Sequence, residues 1–330
     1  MRKVNLLFTG GFDSTFRLCQ LSRMDVEVQP VYFSFDDIHS RRNQLKEIEA
    51  QGRVISWLKA RKETTARILP PAYVFPKDLP SDPAYDRAFQ KWKFNYFIPA
   101  QLRTLGKVPL LYPDLEIGRE GPTLKNRKLG NKYGKTRLAL MARGMRFTDR
   151  PDGSVLVDGS QAEEGLALLF CRFKYPILGI PETGMVPFIH EWGYEDVFKL
   201  TWTCDNGNEE QCGVCHNCET KWASGLENFF GETGQRNHDI KLFLEKHNDE
   251  LVQKYFPNCL YNLSEMFTKY VAQNYFYTLN FNPNPALPLP VRQKLSAIFQ
   301  QKSLDIMSFF KMLMNHWVKG KGVILDASKD

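Results

Sequence analysis

The residues Thr9-Gly10-Gly11-Phe12-Asp13-Ser14-Thr15 have the composition of a phosphate-binding loop. Two adjacent glycines let the backbone turn sharply and bring its N–H groups close to an anion. An apolar run, Val4 to Phe8, precedes the loop and reads as a first β-strand. Phe16 to Leu21 follows and reads as a helix, so the loop opens a helix N-terminus with its favourable partial positive charge. Asp13 adds a requirement. A carboxylate beside a phosphate is repelled unless a cation lies between them, so the loop calls for Mg²⁺ as well as a nucleotide. Asp13 is then the metal-side carboxylate. The spacing is not that of a Walker loop, which needs G-x-x-x-x-G-K-[ST]. The nearest such text, Gly130 to Thr136, has only three residues between its glycines and no strand before it. The alternative for Thr9–Thr15 is a plain glycine turn between strand and helix.

A second constellation is Cys204, Cys212, Cys215 and Cys218, spaced C-x7-C-x2-C-x2-C. Each C-x2-C step lets two thiolates turn onto one cation, and Gly213 eases the turn. Four thiolates in a tetrahedron suit Zn²⁺ and leave no open position, which makes the expected site structural. An iron–sulfur cluster is the alternative ligand for this spacing. His216 lies inside the cluster and is read as an exposed loop histidine. The chain has seven cysteines, unevenly spread, which argues against a disulfide framework.

Together these segments resemble a known family. The first loop is similar to the S-G-G-x-D-S pyrophosphate loop of the adenine-nucleotide α-hydrolase superfamily, with Thr9 in place of serine. Those enzymes attack the α-phosphorus of ATP and release pyrophosphate. Thr201-Trp202-Thr203-Cys204, followed by Cys212-Gly213-Val214-Cys215-His216-Asn217-Cys218, resembles the T-W-S-C … C-G-x-C-x-x-C signature of 7-cyano-7-deazaguanine synthases. That resemblance implies ATP, Mg²⁺ and Zn²⁺ as cofactors. It also implies adenylation of 7-carboxy-7-deazaguanine, or a similar acid, for attack by a nitrogen nucleophile to give an amide or nitrile. The implied nucleotide residues are Thr9, Gly10, Gly11, Phe12, Asp13, Ser14 and Thr15, with Asp13 and Ser14 as catalytic candidates. Phe33 and Ser34 lie where the superfamily holds adenine; for Phe33 and Phe35 the alternative is core packing.

Three departures from the family bear on substrate handling. A Tyr-Gly-Gln-Arg-His-like stretch is replaced by Phe35 to Arg42, which keeps a basic pair, Arg41 and Arg42. A Tyr-Pro-Asp-Cys-Arg-like loop survives only as Tyr112-Pro113-Asp114. The Ser-Lys-x-Glu setting after the last strand becomes Pro181-Glu182-Thr183-Gly184, so a phosphate-facing lysine gives way to glutamate. Arg41, Arg42, Asp114 and Arg119 are the substrate candidates. Retained loop and metal signatures with altered substrate parts resemble synthase-like proteins of bacterial anti-phage operons. Under that variant the deazaguanine acid is joined to a protein amine, which brings in a protein acceptor or operon partner. Two other readings compete: a non-catalytic zinc-stabilised scaffold, and a tRNA thiolase-like RNA-modifying enzyme, for which Cys171 and Cys19 are the available thiols.

The elements that position these residues read as an α/β fold. The expectation is a doubly wound parallel sheet of the HUP or pyrophosphate-loop (PP-loop) type, with a zinc-binding loop and a C-terminal helical appendage. Val28 to Phe35 is an apolar second strand, of the kind buried on both faces in a parallel sheet. Helical spacing over Ile38 to Lys62 completes a βαβ unit, whose ligands sit at the carboxyl ends of strands. Ile68 to Phe75 reads as a third strand broken by Pro70-Pro71 at an edge. Asp86 to Leu105 reads as a helix and Val108 to Tyr112 as a fourth strand. Gly118 to Arg137 is a basic loop. Leu138 to Met145, Ala162 to Phe173 and Glu182 to Trp192 read as helices. Pro151-Asp152-Gly153 is a turn into the strand Val155 to Val157, and Lys174 to Leu178 is the last strand. Residues 1–236 form the ATP-binding domain with the zinc site. Residues 237–330 form the helical region, with helices over Asp239–Lys254, Leu263–Leu279, Val291–Gln300 and Ser303–Val318.

A net charge of +7 favours acidic ligands such as ATP. RNA is not expected as a partner under the leading reading, and a homodimer is compatible with it. No stretch of eighteen apolar residues occurs, and no targeting signal is read, so a cytoplasmic protein without membrane association is expected.

Overall fold

The structure is a computed structural model. It describes residues 1–34, 43–95, 98–119, 132–205, 210–255 and 262–272. The first part of the chain forms β1 (Arg2–Leu7), α1 (Phe12–Ser22), β2 (Val26–Phe33), α2 (Gln44–Lys59), β3 (Arg67–Ile68), β4 (Ala72–Val74), α3 (Pro83–Trp92), α4 (Leu102–Leu105) and β5 (Glu116–Ile117). The rest forms α5 (Lys132–Met141), β6 (Arg146–Asp149), β7 (Val155–Asp158), α6 (Leu166–Phe170), α7 (Glu182–Trp192), α8 (Glu195–Lys199), α9 (His216–Ala223), α10 (Glu232–Tyr255) and α11 (Leu263–Ala272). The chain divides into two compact units, 1–207 with 217–229, and 208–216 with 230–330.

The first unit is built on a parallel sheet in the order β3-β2-β1-β5, with β4 also paired to β2. β1 and β2 run in register from Arg2↔Val26 to Leu7↔Val31, joined by α1 as a βαβ unit. Alternation along the strands fills both faces, because successive side chains point to opposite sides. Val4, Leu6 and Phe8, with Val26 and Val28, enter one apolar core together with α1, α2, α7 and α8. Leu7, Val31 and Phe33 enter the other, with α3, α4 and α6. Helices therefore cover both faces of the sheet, as expected of a doubly wound α/β arrangement.

Proline sets several element limits. Pro70 and Pro71 lie between β3 and β4, so the expected third strand is two short pieces, each pairing with β2 at the sheet edge. Val108 to Tyr112 is not a strand. Val108–Leu110 is a 3₁₀ turn with Pro109 inside it, and the strand that joins β1 lies further on, as β5. Lys174 to Leu178 is not a regular strand either. Lys174 and Tyr175 make single bridges to Glu116 and Val155, and Pro176, which has no N–H to donate, ends the pairing there. The helix expected over Asp86 to Leu105 is two helices, α3 and α4. Asp82 caps α3 by accepting a hydrogen bond from the Tyr85 N–H at 2.9 Å, and Pro83 occupies its first turn.

The basic segment is not a loop throughout. Its residues from Lys132 onward are helical in α5, and the Arg137 guanidinium grips Asp149 through two hydrogen bonds of 2.9 and 2.8 Å. Lys125, Arg127 and Lys128 fall outside the described residues. The turn at Pro151-Asp152-Gly153 links β6 to β7 as an antiparallel hairpin. α7 matches its expected bounds.

In the second unit, α10 starts at Glu232, seven residues before the expected helix start at Asp239. α11 presents Leu263, Phe267 and Val271 at helical spacing as buried residues, and the Asn262 side chain caps it by accepting from the Ser264 N–H at 2.9 Å. The part of the expected Leu263–Leu279 helix beyond Ala272, and the helices expected over Val291–Gln300 and Ser303–Val318, lie outside the described residues. Among the described residues no helix is long and apolar enough to cross a membrane.

Candidate functional site

The glycine loop sits at the carboxyl end of β1, between its two neighbours β2 and β5. In open α/β sheets this rim is where ligands bind. Gly10 turns the chain with a φ of +74°, a left-handed conformation that residues with a Cβ adopt at a cost. It also lies against α2: an added Cβ would come within 2.9 Å of the Glu47 carbonyl oxygen and 3.0 Å of the Gln51 nitrogen. Gly11 then occupies the N-cap of α1 without a side-chain cap, and the first helical bond runs from the Thr15 N–H to the Gly11 carbonyl at 3.0 Å. The preceding N–H groups of the first turn are the ones that a helix leaves for another acceptor.

The Ser14 hydroxyl is turned into the loop. It accepts from the Thr9 N–H and donates to the Gly11 carbonyl, both at 3.3 Å, and contacts Thr9 Oγ1 at the same distance. Across the rim, Gly118 directly follows β5 and abuts α1, since a Cβ there would lie 2.8 Å from Ser14 Cα. Arg119 is the next residue, so the structure brings it to the loop's side of the sheet. Asp114 lies at the opposite end of β5, where it is exposed and pairs with Lys174 at 3.2 Å. Arg41 and Arg42 lie outside the described residues.

At the end of β2, Phe33 is buried in the core with α3 and α4, as the packing alternative expected. Phe35 is outside the described residues. Ser34 is also buried; its N–H bonds the Val74 carbonyl at 2.9 Å and its hydroxyl accepts from Gln44. Nearby, the Tyr32 hydroxyl donates to Glu47 at 2.6 Å, and the Asn43 amide reaches both Glu47 at 3.1 Å and the Cys204 carbonyl at 3.2 Å.

The segments flanking two of the cysteines touch this same loop. The Trp202 N–H donates to the Gly10 carbonyl at 2.9 Å, two residues before Cys204. Lys221, three residues after Cys218 on α9, places its Nζ 3.7 Å from Asp13 Oδ1 and in contact with Glu182 Oε1. Lys221 was not legible as a site residue from the sequence. The signal that points to it is its position one helical turn beyond a cysteine of the cluster, on the same helix face.

Cys204, Cys212, Cys215 and Cys218 form a buried group whose sulfurs all lie within 4.8 Å of one another. A tetrahedral Zn²⁺ with Zn–S of about 2.3 Å sets its sulfurs roughly 3.8 Å apart, so the donor set can close on a metal ion such as zinc with small side-chain motion. Backbone geometry favours the same thing. Gly213, within the Cys212–Cys215 turn, has a φ of +74°, and the Cys215 N–H donates to Cys212 Sγ at 3.3 Å. The Asn237 amide holds the Cys212 carbonyl at 3.0 Å. His216 is exposed at the start of α9 and is not among the four.

Two thiols outside the cluster bear on the RNA-thiolation alternative. Burial pushes the Cys19 thiol far above its ordinary range, and burial followed by the Asp158 charge raises Cys171. Neither is poised as a thiolate nucleophile, which needs a lowered pKa. No protein-family model matches the chain, and no curated protein matches it.

Proposed function

We propose that this protein is an ATP-dependent enzyme resembling the 7-cyano-7-deazaguanine synthases, on a HUP-type fold. It would adenylate the carboxylate of 7-carboxy-7-deazaguanine, or a similar acid, for attack by a nitrogen nucleophile. The observation that carries this reading is the glycine loop at the carboxyl end of β1, opening α1 in a parallel sheet. Its donors suit an anion, because backbone N–H groups at a helix N-terminus favour negative charge. A second observation supports a ligand there. Among the described residues, four buried side chains in the loop or beside it carry atoms without a hydrogen-bond partner: Thr15 Oγ1, both amide atoms of Gln51, Trp202 Nε1, and Glu182 Oε2, whose carboxylate reaches the loop through Lys221. Buried polar groups are normally satisfied, so a cluster of exceptions calls for a partner.

ATP supplies the leaving group: the acid's carboxylate oxygen bonds the α-phosphorus and pyrophosphate departs. The residues of this chain bind and orient. N–H groups of the first turn of α1 would face the phosphates, and Asp13 would hold the Mg²⁺ that the loop requires. Preorganised donors of this kind stabilise charge as it develops on the leaving group. The four cysteines would hold Zn²⁺ as a structural ion. If ammonia attacks the adenylate, AMP leaves and the product is an amide. A second ATP can adenylate the amide oxygen, which then departs with AMP as the nitrogen loses its protons and the nitrile forms. If a protein amine attacks, the reaction ends at the amide, as in the defence-associated variant.

Mass spectrometry after incubation with ATP, Mg²⁺ and 7-carboxy-7-deazaguanine tests this, with ammonia or a protein amine as acceptor. AMP, pyrophosphate and an amide or nitrile mass are expected, and Asp13→Ala abolishes them with the fold intact. No pyrophosphate from the wild type with any deazaguanine acid would favour the scaffold reading.

A further inference from the structure

We infer that Lys221 is the phosphate-facing cation of the glycine loop and that Glu182 is the buried counter-ion that holds it there; this rests on the reading of the loop as an ATP site. Lys221 is an expensive residue in its place. Its side chain is 9% exposed, and the Glu182 side chain 1%. Burying an ammonium costs several kcal/mol unless a charge compensates it, and Glu182 does so directly. The ammonium nevertheless stays beside the loop. It lies 3.7 Å from Asp13 Oδ1 and 4.5 Å from the centre of the Phe12 ring, so it touches the first two residues of α1.

The geometry accounts for both carboxylates. Glu182 is the first residue of α7, where a helix N-terminus favours negative charge. It accepts Lys221 on Oε1 while Oε2 has no hydrogen-bond partner among the described residues, so the pair fixes the lysine without saturating the glutamate. Asp13 and Glu182 with one ammonium leave one formal negative charge, which a divalent cation reverses when a polyphosphate arrives. The glutamate at position 182 therefore does not strip the site of positive charge. It recruits a lysine from another helix, α9. Cys218 lies one turn before Lys221 on that helix, so a metal on the cysteines would anchor the segment that delivers it.

The test is binding of Mg²⁺-pyrophosphate and of Mg²⁺-ATP by calorimetry at two salt concentrations, with zinc content measured alongside. Lys221→Met leaves Glu182 buried and unpaired, so the double variant Lys221→Met/Glu182→Gln, which removes both charges, is the variant expected to fold. It should bind both ligands at least tenfold more weakly, with a shallower salt dependence and an unchanged zinc content. Lys221→Arg should recover most of the affinity, which a merely structural ammonium would not require. Wild-type affinity in the double variant overturns the inference, as does a variant whose whole loss is explained by lost zinc. If the wild-type protein binds neither ligand, the ATP reading of the loop itself fails.

Discussion

Replacing Gly10 by alanine should be among the most damaging single-atom additions to this fold. At a φ of +74° an alanine pays about 1–2 kcal/mol for the left-handed backbone. The added methyl would lie 2.9 Å from the Glu47 carbonyl, 3.0 Å from the Gln51 nitrogen and 3.1 Å from Ala50 Cβ. Those are backbone and short side-chain atoms of α2 and cannot swing aside, so overpacking adds about 1–3 kcal/mol. Restricting the unfolded chain returns about 0.4–1 kcal/mol. The net loss is about 2–4 kcal/mol, or a fall in Tm of roughly 5–15 °C at the usual ~2–4 °C per kcal/mol. Gly52 is the internal control. It lies in the same helix, exposed, with no described residue within 4 Å of an added Cβ. Gly52→Ala should stabilise by about 0.5–1 kcal/mol, because glycine in a helix interior costs that much relative to alanine. Urea unfolding followed by circular dichroism measures both. A Gly10→Ala variant within about 0.5 kcal/mol of wild type would refute the close approach of the loop to α2.

Metal analysis should find one zinc per chain, and Cys215→Ser should lower both soluble yield and metal content, since binding and folding are coupled in such sites; iron in place of zinc would sink this assignment. At Asp82, burial works against the charge, but the Tyr85 N–H and the Arg172 guanidinium outweigh it and hold the carboxyl below the usual carboxylate range. That stabilisation is full above the ordinary aspartate pKa near 4 and is lost as pH falls through the lower folded value. Asp82→Asn should therefore be less stable than wild type at neutral pH and converge with it in acid, as read from urea midpoints against pH. Arg17 grips Glu116 with two hydrogen bonds of 2.7 and 3.0 Å, each side chain 13% exposed. Glu116→Gln should cost about 2 kcal/mol, and a double-mutant cycle with Arg17→Gln should show coupling above 0.5 kcal/mol; additive effects would contradict the pairing.

Part of this molecule could be read directly from residue order. A strand, a two-glycine loop and a helix are contiguous in Val4 to Leu21, so local periodicity and the φ freedom of glycine fix them. The metal-type spacing of the cysteines is likewise local, except for Cys204, which stands eight positions before the next cysteine. α7 was legible to the residue because its apolar period begins after Pro181 and ends at Gly193. Strand limits were less so. Short strands are defined by the partners that pair with them, and Val108 to Tyr112 has the composition of a strand while Pro109 commits it to a 3₁₀ turn.

The tertiary structure alone decided which distant residues share the loop's rim. Sequence spacing carries no information on the meeting of Asp13, Glu182 and Lys221, which lie on three helices. Nor does it show that Gly118 seats against Ser14, or that the Trp202 N–H holds the Gly10 carbonyl. Sequence identified Glu182 as a reversal of charge where a lysine was expected. The fold places a lysine beside it, because in a packed core a buried carboxylate needs a charged partner, and only the chain's path in three dimensions determines which residue that is.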